Sequence, residues 1–160
     1  MEIAGGCRCG NIRFALAWPD DARIPARACQ CDWCTARGAT WTSHPQARLD
    51  VAIADRERLA LVRFGTGTAD FHVCLACDDA VFVACEMEGR NYAVVNVGMF
   101  DEVDPALLDR SESDVEGETL EARLARRRAR WIGEVRIGAD DVTARSPRTA
   151  PAGTPRRPAT

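Results

Sequence analysis

Apolar and polar residues alternate along much of the first hundred positions with the period of two that a half-buried strand requires. Ile12-Arg13-Phe14-Ala15-Leu16 follows this rhythm and stops at the turn signal Trp18-Pro19-Asp20. Leu49-Asp50-Val51-Ala52-Ile53 repeats it, and Ala60 to Phe64 supplies another short strand. Gly65-Thr66-Gly67-Thr68 then breaks the pattern before Phe71-His72-Val73-Cys74. No lysine-bearing helix follows that stretch, so it reads as a hairpin or loop and not as a phosphate cradle. Val81-Phe82-Val83-Ala84-Cys85 and Tyr92-Ala93-Val94-Val95-Asn96-Val97 flank Glu88-Gly89-Arg90-Asn91, which predicts a β-hairpin.

Between Gly117 and Trp131 the period lengthens. Leu120, Leu124 and Trp131 recur at helical intervals, Ala122, Ala125 and Ala129 favour helix, and arginines fill the other face. Glu116, Glu118 and Glu121 open the segment, while Arg126, Arg127, Arg128 and Arg130 close it, as the helix dipole favours. The pattern predicts a helix over about 117–131 whose arginine run is a solvated face rather than a nucleic-acid patch, because acidic residues precede it. Beyond Ile137 the composition changes, and Ser146 to Thr160 is rich in Pro, Arg, Thr and Ala with no aliphatic anchor. Residues 138–160 are therefore expected to form a mobile tail, and residues 1–137 a single mainly β domain that ends in the helix.

A hydrophobic content of 46% and a charged content of 28% are those of a soluble globular protein. The formal net charge of -3 makes no case for nucleic acid or an anionic membrane as partner. Every basic residue outside the two histidines is arginine, which reads as a GC-rich, bacterial coding bias. No segment approaches the ~20 apolar residues of a membrane helix. Met1 to Ile12 lacks the apolar run of a signal peptide, so a cytoplasmic, reducing setting is expected.

In such a setting clustered cysteines hold metal rather than form disulfides. Seven of the eight cysteines fall into three tight clusters: Cys7-Arg8-Cys9, Cys29-Gln30-Cys31-Asp32-Trp33-Cys34 and Cys74-Leu75-Ala76-Cys77. A tetrahedral ion takes four sulfurs, so seven thiols suggest one closed site and one site left open by a ligand. Cys7 and Cys9 precede Gly10, where a residue without Cβ lets the backbone curl under an ion. With Cys74 and Cys77 they make a natural four-sulfur structural zinc site. Cys29, Cys31 and Cys34, three sulfurs from one short loop, leave a fourth position free, as catalytic zinc sites do. Two alternatives stay open at this point. His44, His72 or Cys85 could complete a second closed site, and Cys7 and Cys9 could instead join Cys31 and Cys34. Cys85 reads most simply as a buried small hydrophobe and His72 as a sheet residue. His44, which precedes Pro45 in the loop after the trio, is the better candidate for acid/base work.

Taken in order, these motifs resemble the glutathione-dependent formaldehyde-activating enzyme family, to which centromere protein V also belongs. The resemblance rests on Gly6-Cys7-Arg8-Cys9-Gly10-Asn11-Ile12-Arg13-Phe14, Cys29 to Cys34 and Phe71 to Cys77. It extends through Tyr92 to Asp101, with Phe100 where the family's "Leu-Asp" ending has Leu. It implies a zinc-stabilised β-tent of bent antiparallel sheets. It also implies structural zinc on Cys7, Cys9, Cys74 and Cys77 and catalytic zinc on Cys29, Cys31 and Cys34, two ions in all. The implied activity is that of an S-(hydroxymethyl)glutathione synthase, a carbon-sulfur lyase that adds glutathione, or another small thiol, to formaldehyde or a related small aldehyde. A homo-oligomer is left open. The rival expectations are a non-catalytic zinc-fold binding module and a zinc or redox sensor. The chain departs from the family at Cys77-Asp78-Asp79, where Cys-Gly is usual, and at Thr35-Ala36, where a basic residue commonly follows the trio. These departures bear on the substrate, since residues beside the trio shape its pocket.

Overall fold

Every alternating segment forms a strand, and the computed structural model, which describes residues 1–138, adds strands that the pattern did not mark. In chain order they are β1 (Glu2–Gly6), β2 (Ile12–Ala17), β3 (Ile24–Cys29), β4 (Thr40–Thr42), β5 (Arg48–Ile53) and β6 (Leu59–Val62). β7 (Asp70–Cys74), β8 (Ala80–Met87), β9 (Arg90–Asn96), β10 (Leu108–Ser113) and β11 (Glu134–Gly138) follow. The helices are α1 (Asp32–Arg37) and α2 (Leu120–Arg130). Apart from Gly138, the tail expected at 138–160 lies outside the described residues.

The fold is mainly β. A four-stranded sheet runs β1-β2-β5-β11 and a seven-stranded sheet runs β10-β3-β4-β9-β8-β7-β6. Most neighbours are antiparallel, but β10 lies parallel to β3 and β11 parallel to β5, so two late strands finish sheets begun early in the chain. The predicted hairpin is β8–β9. It turns on Glu88 and Gly89, both at positive φ (53° and 76°), the conformation of a tight two-residue reversal. The seven-stranded sheet bends at a register shift between His72 and Val73.

Strands β8 and β9 are apolar almost throughout because both of their faces are covered. Phe82, Ala84, Ala93 and Val95 join Ile12, Phe14, Leu16, Leu49 and Ile53 in the core between the sheets. Val83, Cys85, Met87, Tyr92 and Val94 point the other way and pack with Trp41, Cys34 and Trp131 in a second core. Trp131 and the half-buried Leu124 carry α2 onto that second face. Thr119 caps the helix by accepting from the Ala122 N–H at 3.1 Å, so α2 begins slightly later than the expected 117. No described helix is long and apolar enough to cross a membrane.

Candidate metal centres

The seven clustered thiols gather into two groups, Cys7/Cys9/Cys74/Cys77 and Cys29/Cys31/Cys34, each with its sulfurs within 4.8 Å of one another. All eight cysteines are free thiols. In the first group the Cys9 Sγ lies 3.6 Å from Cys7 Sγ, 3.5 Å from Cys74 Sγ and 4.0 Å from Cys77 Sγ. A tetrahedral ion with sulfur arms near 2.3 Å would hold its ligands about 3.8 Å apart. The donor set and its spacing therefore fit zinc.

Local backbone builds this group. Gly10 takes φ 82°, the Gly10 N–H donates to the Cys7 carbonyl at 3.1 Å, and the Ile12 N–H donates to the Cys7 sulfur at 3.2 Å. The first knuckle is thus a turn that only a residue free to enter the left-handed region makes at low cost. Buried Asp79 ties it to the second knuckle by accepting from the Arg8 N–H at 2.9 Å, and Arg8 Nη2 donates to the Cys77 carbonyl at 2.6 Å. These closely spaced sulfurs hold their protons unequally. Hydrogen bonding from Cys7 holds Cys77 down to about 3, the same bond pushes Cys7 up, and burial pushes Cys74 up to about 11. A divalent cation would relieve that competition by displacing the protons.

Asp78, the departure from the family's usual glycine, sits at φ 56° and bonds its N–H to the Cys74 carbonyl at 2.7 Å. Its carboxylate also reaches Arg37 Nη2 at 3.2 Å, across to α1. Left-handed backbone strains a residue with a Cβ, and the Asp78 end of that ion pair is exposed. Asp78→Gly is therefore expected to raise stability by about 0.5–1 kcal/mol. An unchanged or lower denaturation midpoint in urea would count against the strain.

The three-cysteine group does not sit in a plain loop, as the sequence suggested. Cys29 ends β3, Cys31 is the N-cap of α1, and Cys34 lies within that helix. The six-residue helix is short enough to escape periodicity, but its cap is legible afterwards. The Cys34 N–H donates to Cys31 Sγ at 3.4 Å, and Gly38 closes the helix at φ 61°. Trp41 Nε1–H, from β4, donates to Cys34 Sγ at 3.4 Å. Hydrogen bonding with Cys34 holds Cys29 down to about 6 and raises Cys34 in turn, while burial raises Cys31. Among the described residues no histidine, carboxylate or further cysteine joins this group. His72 stacks on Phe82 at 3.9 Å, and burial holds it down to about 4. His44 lies edge-on to Trp18 at 5.6 Å and accepts from the Gln46 N–H, away from the cavity described next. Buried Cys85 packs in the second core.

The trio lines a cavity of about 670 Å³. Its lining includes the apolar Trp41, Phe64, Phe71, Val83, Val94 and Trp131. It also includes Arg27 of β3 and Arg123, Arg126, Arg127 and Arg130 of α2. The reading of the arginine run as a solvated face holds for the exposed Arg128 and Arg130 and is corrected for Arg127, which is buried, and for the half-buried Arg126. Arg127 stands two helical turns after Leu120, on the stripe that also holds Leu124 and Trp131, and it is buried whereas Leu120 is 48% exposed. The spacing was legible, but hydrophobicity pointed to the leucine.

A family model described as glutathione-dependent formaldehyde-activating enzyme matches residues 2–115. No curated protein matches the chain. A crystal structure of a Rhodobacter sphaeroides protein is similar to it at 25% identity and a TM-score of 0.49, over 69% of this chain and 99% of that one.

Proposed function

Given that the chain belongs to the glutathione-dependent formaldehyde-activating enzyme family, we propose that it promotes the addition of glutathione, or another small thiol, to formaldehyde or a related small aldehyde. In this reading Cys29, Cys31 and Cys34 are ligands of a catalytic zinc, and Cys7, Cys9, Cys74 and Cys77 are ligands of a structural one. The reaction joins the thiol sulfur to the carbonyl carbon and leaves the thiol proton on the oxygen. Nothing is oxidised or reduced. A zinc ion on the trio would lower the pKa of a thiol in the position that the three sulfurs leave free.

The chain's own residues supply placement. The N-cap geometry of Cys31 and the Trp41 bond to Cys34 fix two of the three sulfurs. Phe71 and Trp41, packed edge to face at 5.9 Å, form part of the apolar lining that limits water around the reacting sulfur. The observation that carries the reading is that the three-sulfur group faces a cavity large enough for both reactants, whereas the four-sulfur group is complete in itself.

Zinc stoichiometry on freshly purified protein, followed by calorimetric titration with glutathione, tests it. Two zinc ions per chain with saturable glutathione binding are the expected result. Two tightly held ions with no thiol binding would move the assignment to a binding module built on the same fold.

A further inference from the structure

Helix α2 brings to the cavity a charge that neither metal group uses and that a one-carbon aldehyde does not need. Arg127 is 6% exposed. Its guanidinium lies 4.8 Å over the Trp131 ring, and Nη1 donates to Thr68 Oγ1 at 2.9 Å and to Cys85 Sγ at 3.4 Å. Its Nε is buried with no partner. Among the described residues no carboxylate oxygen bonds to it, and its charge reaches Glu118 only behind those of Arg126 and Arg123; burial, then the charges of Arg123 and Arg126, work against its proton. Arg27, half-buried on β3, lines the same cavity. It donates to Ser43 Oγ at 2.8 Å, and burial, then Arg126 and Arg130, lower its pKa as well.

No acid that lines the cavity is bonded to either of these two residues among the described residues. Glu118 is engaged by Arg126, through bonds of 2.9 and 3.0 Å, and by Arg123 Nε at 3.6 Å. Glu112, Asp114 and Glu116 lie on the exposed rim, where water solvates them. A guanidinium withdrawn from water with no carboxylate bonded to it is costly to keep, and its planar fork matches a carboxylate. α2, which carries Arg127, lies beyond the family match at residues 2–115, whereas Arg27 lies within it.

We propose that Arg127 and Arg27 form a carboxylate-binding pole of the cavity, so that its ligand is an acidic thiol with its sulfur at Cys29, Cys31 and Cys34 and a carboxylate at the two arginines. The sulfur end rests on the function proposed above; the carboxylate end stands on the arginines alone. Selectivity for an acid over its ester follows, because an ester offers the guanidinium no charge.

Three probes titrated into the zinc-loaded protein separate the two ends. They are glutathione, its diethyl ester, in which both carboxylates are masked, and S-methylglutathione, which keeps the carboxylates but offers no thiol. The diester is expected to bind at least ~10-fold more weakly than glutathione. S-methylglutathione is expected to bind, and to lose ~10-fold in affinity in both Arg127→Gln and Arg27→Gln. If Arg127→Gln does not fold, the half-buried Arg27→Gln and the ester comparison on unaltered protein decide the matter. Equal affinity for glutathione and its diester would overturn the proposal, as would S-methylglutathione that fails to bind or ignores Arg27→Gln. Failure of the thiol reading looks different. S-methylglutathione would then bind as well as glutathione, Cys31→Ala would change neither, and the carboxylate pole would stand.

Discussion

Cys9→Ala and Cys77→Ala are each expected to yield protein that does not fold. The four sulfurs join the turn between β1 and β2, in the four-stranded sheet, to the turn between β7 and β8, in the seven-stranded one. A closed four-sulfur zinc site contributes roughly 10–16 kcal/mol of apparent free energy to folding. A whole domain is stable by only about 5–15 kcal/mol. Removing one sulfur leaves an incomplete ligand set, with the bonds of Arg8 to Asp79 and to the Cys77 carbonyl still linking the knuckles. Soluble yield and far-ultraviolet circular dichroism measure the outcome, and chelation of the unaltered protein should reproduce it. A Cys9→Ala protein with native circular dichroism and an unchanged melting temperature would show that this group does not support the fold.

Cys31→Ala should behave in the opposite way, with a folded protein, one zinc fewer and no thiol binding. The trio sits where β3 passes into the six-residue α1, so the loss is local. Stability should fall by about 1 kcal/mol, the cost of removing an N-cap acceptor. Activity should fall by roughly 100-fold or more, since even a residue that only supports a metal ligand is worth 10–100-fold. Zinc content, glutathione titration and the rate of adduct formation with formaldehyde on one preparation would reveal it. Full zinc content and unchanged glutathione affinity in this variant would remove the trio from the chemistry.

Much of this could be read before any coordinates. The β8–β9 hairpin was legible because two apolar runs flank residues suited to positive φ, and Glu88 and Gly89 adopt it. Strands β10 and β11 were not. β10 is an edge strand of Leu108-Asp109-Arg110-Ser111-Glu112-Ser113 with most side chains in water, and it pairs with β3 through backbone bonds that need no apolar alternation. α1 escaped because two turns are too few to establish a period. His44 was singled out for its residue type and its place after the trio, yet it packs against Trp18.

The sequence by itself determined which sulfurs sit together within each knuckle, since spacers of one or two residues hold two thiols on one turn of backbone whatever the rest of the chain does. It also determined the β class and the helix, because period is a local property. Tertiary structure alone decided what faces the three-cysteine group. Arg27 comes to it from β3 and Arg127 from α2, brought together by the packing of Trp131 and Leu124 on the far face of β8 and β9. An arginine run is written the same way whether it meets water or a cavity. Only the burial of one helix face distinguishes the two, and that depends on contacts between segments far apart in the chain.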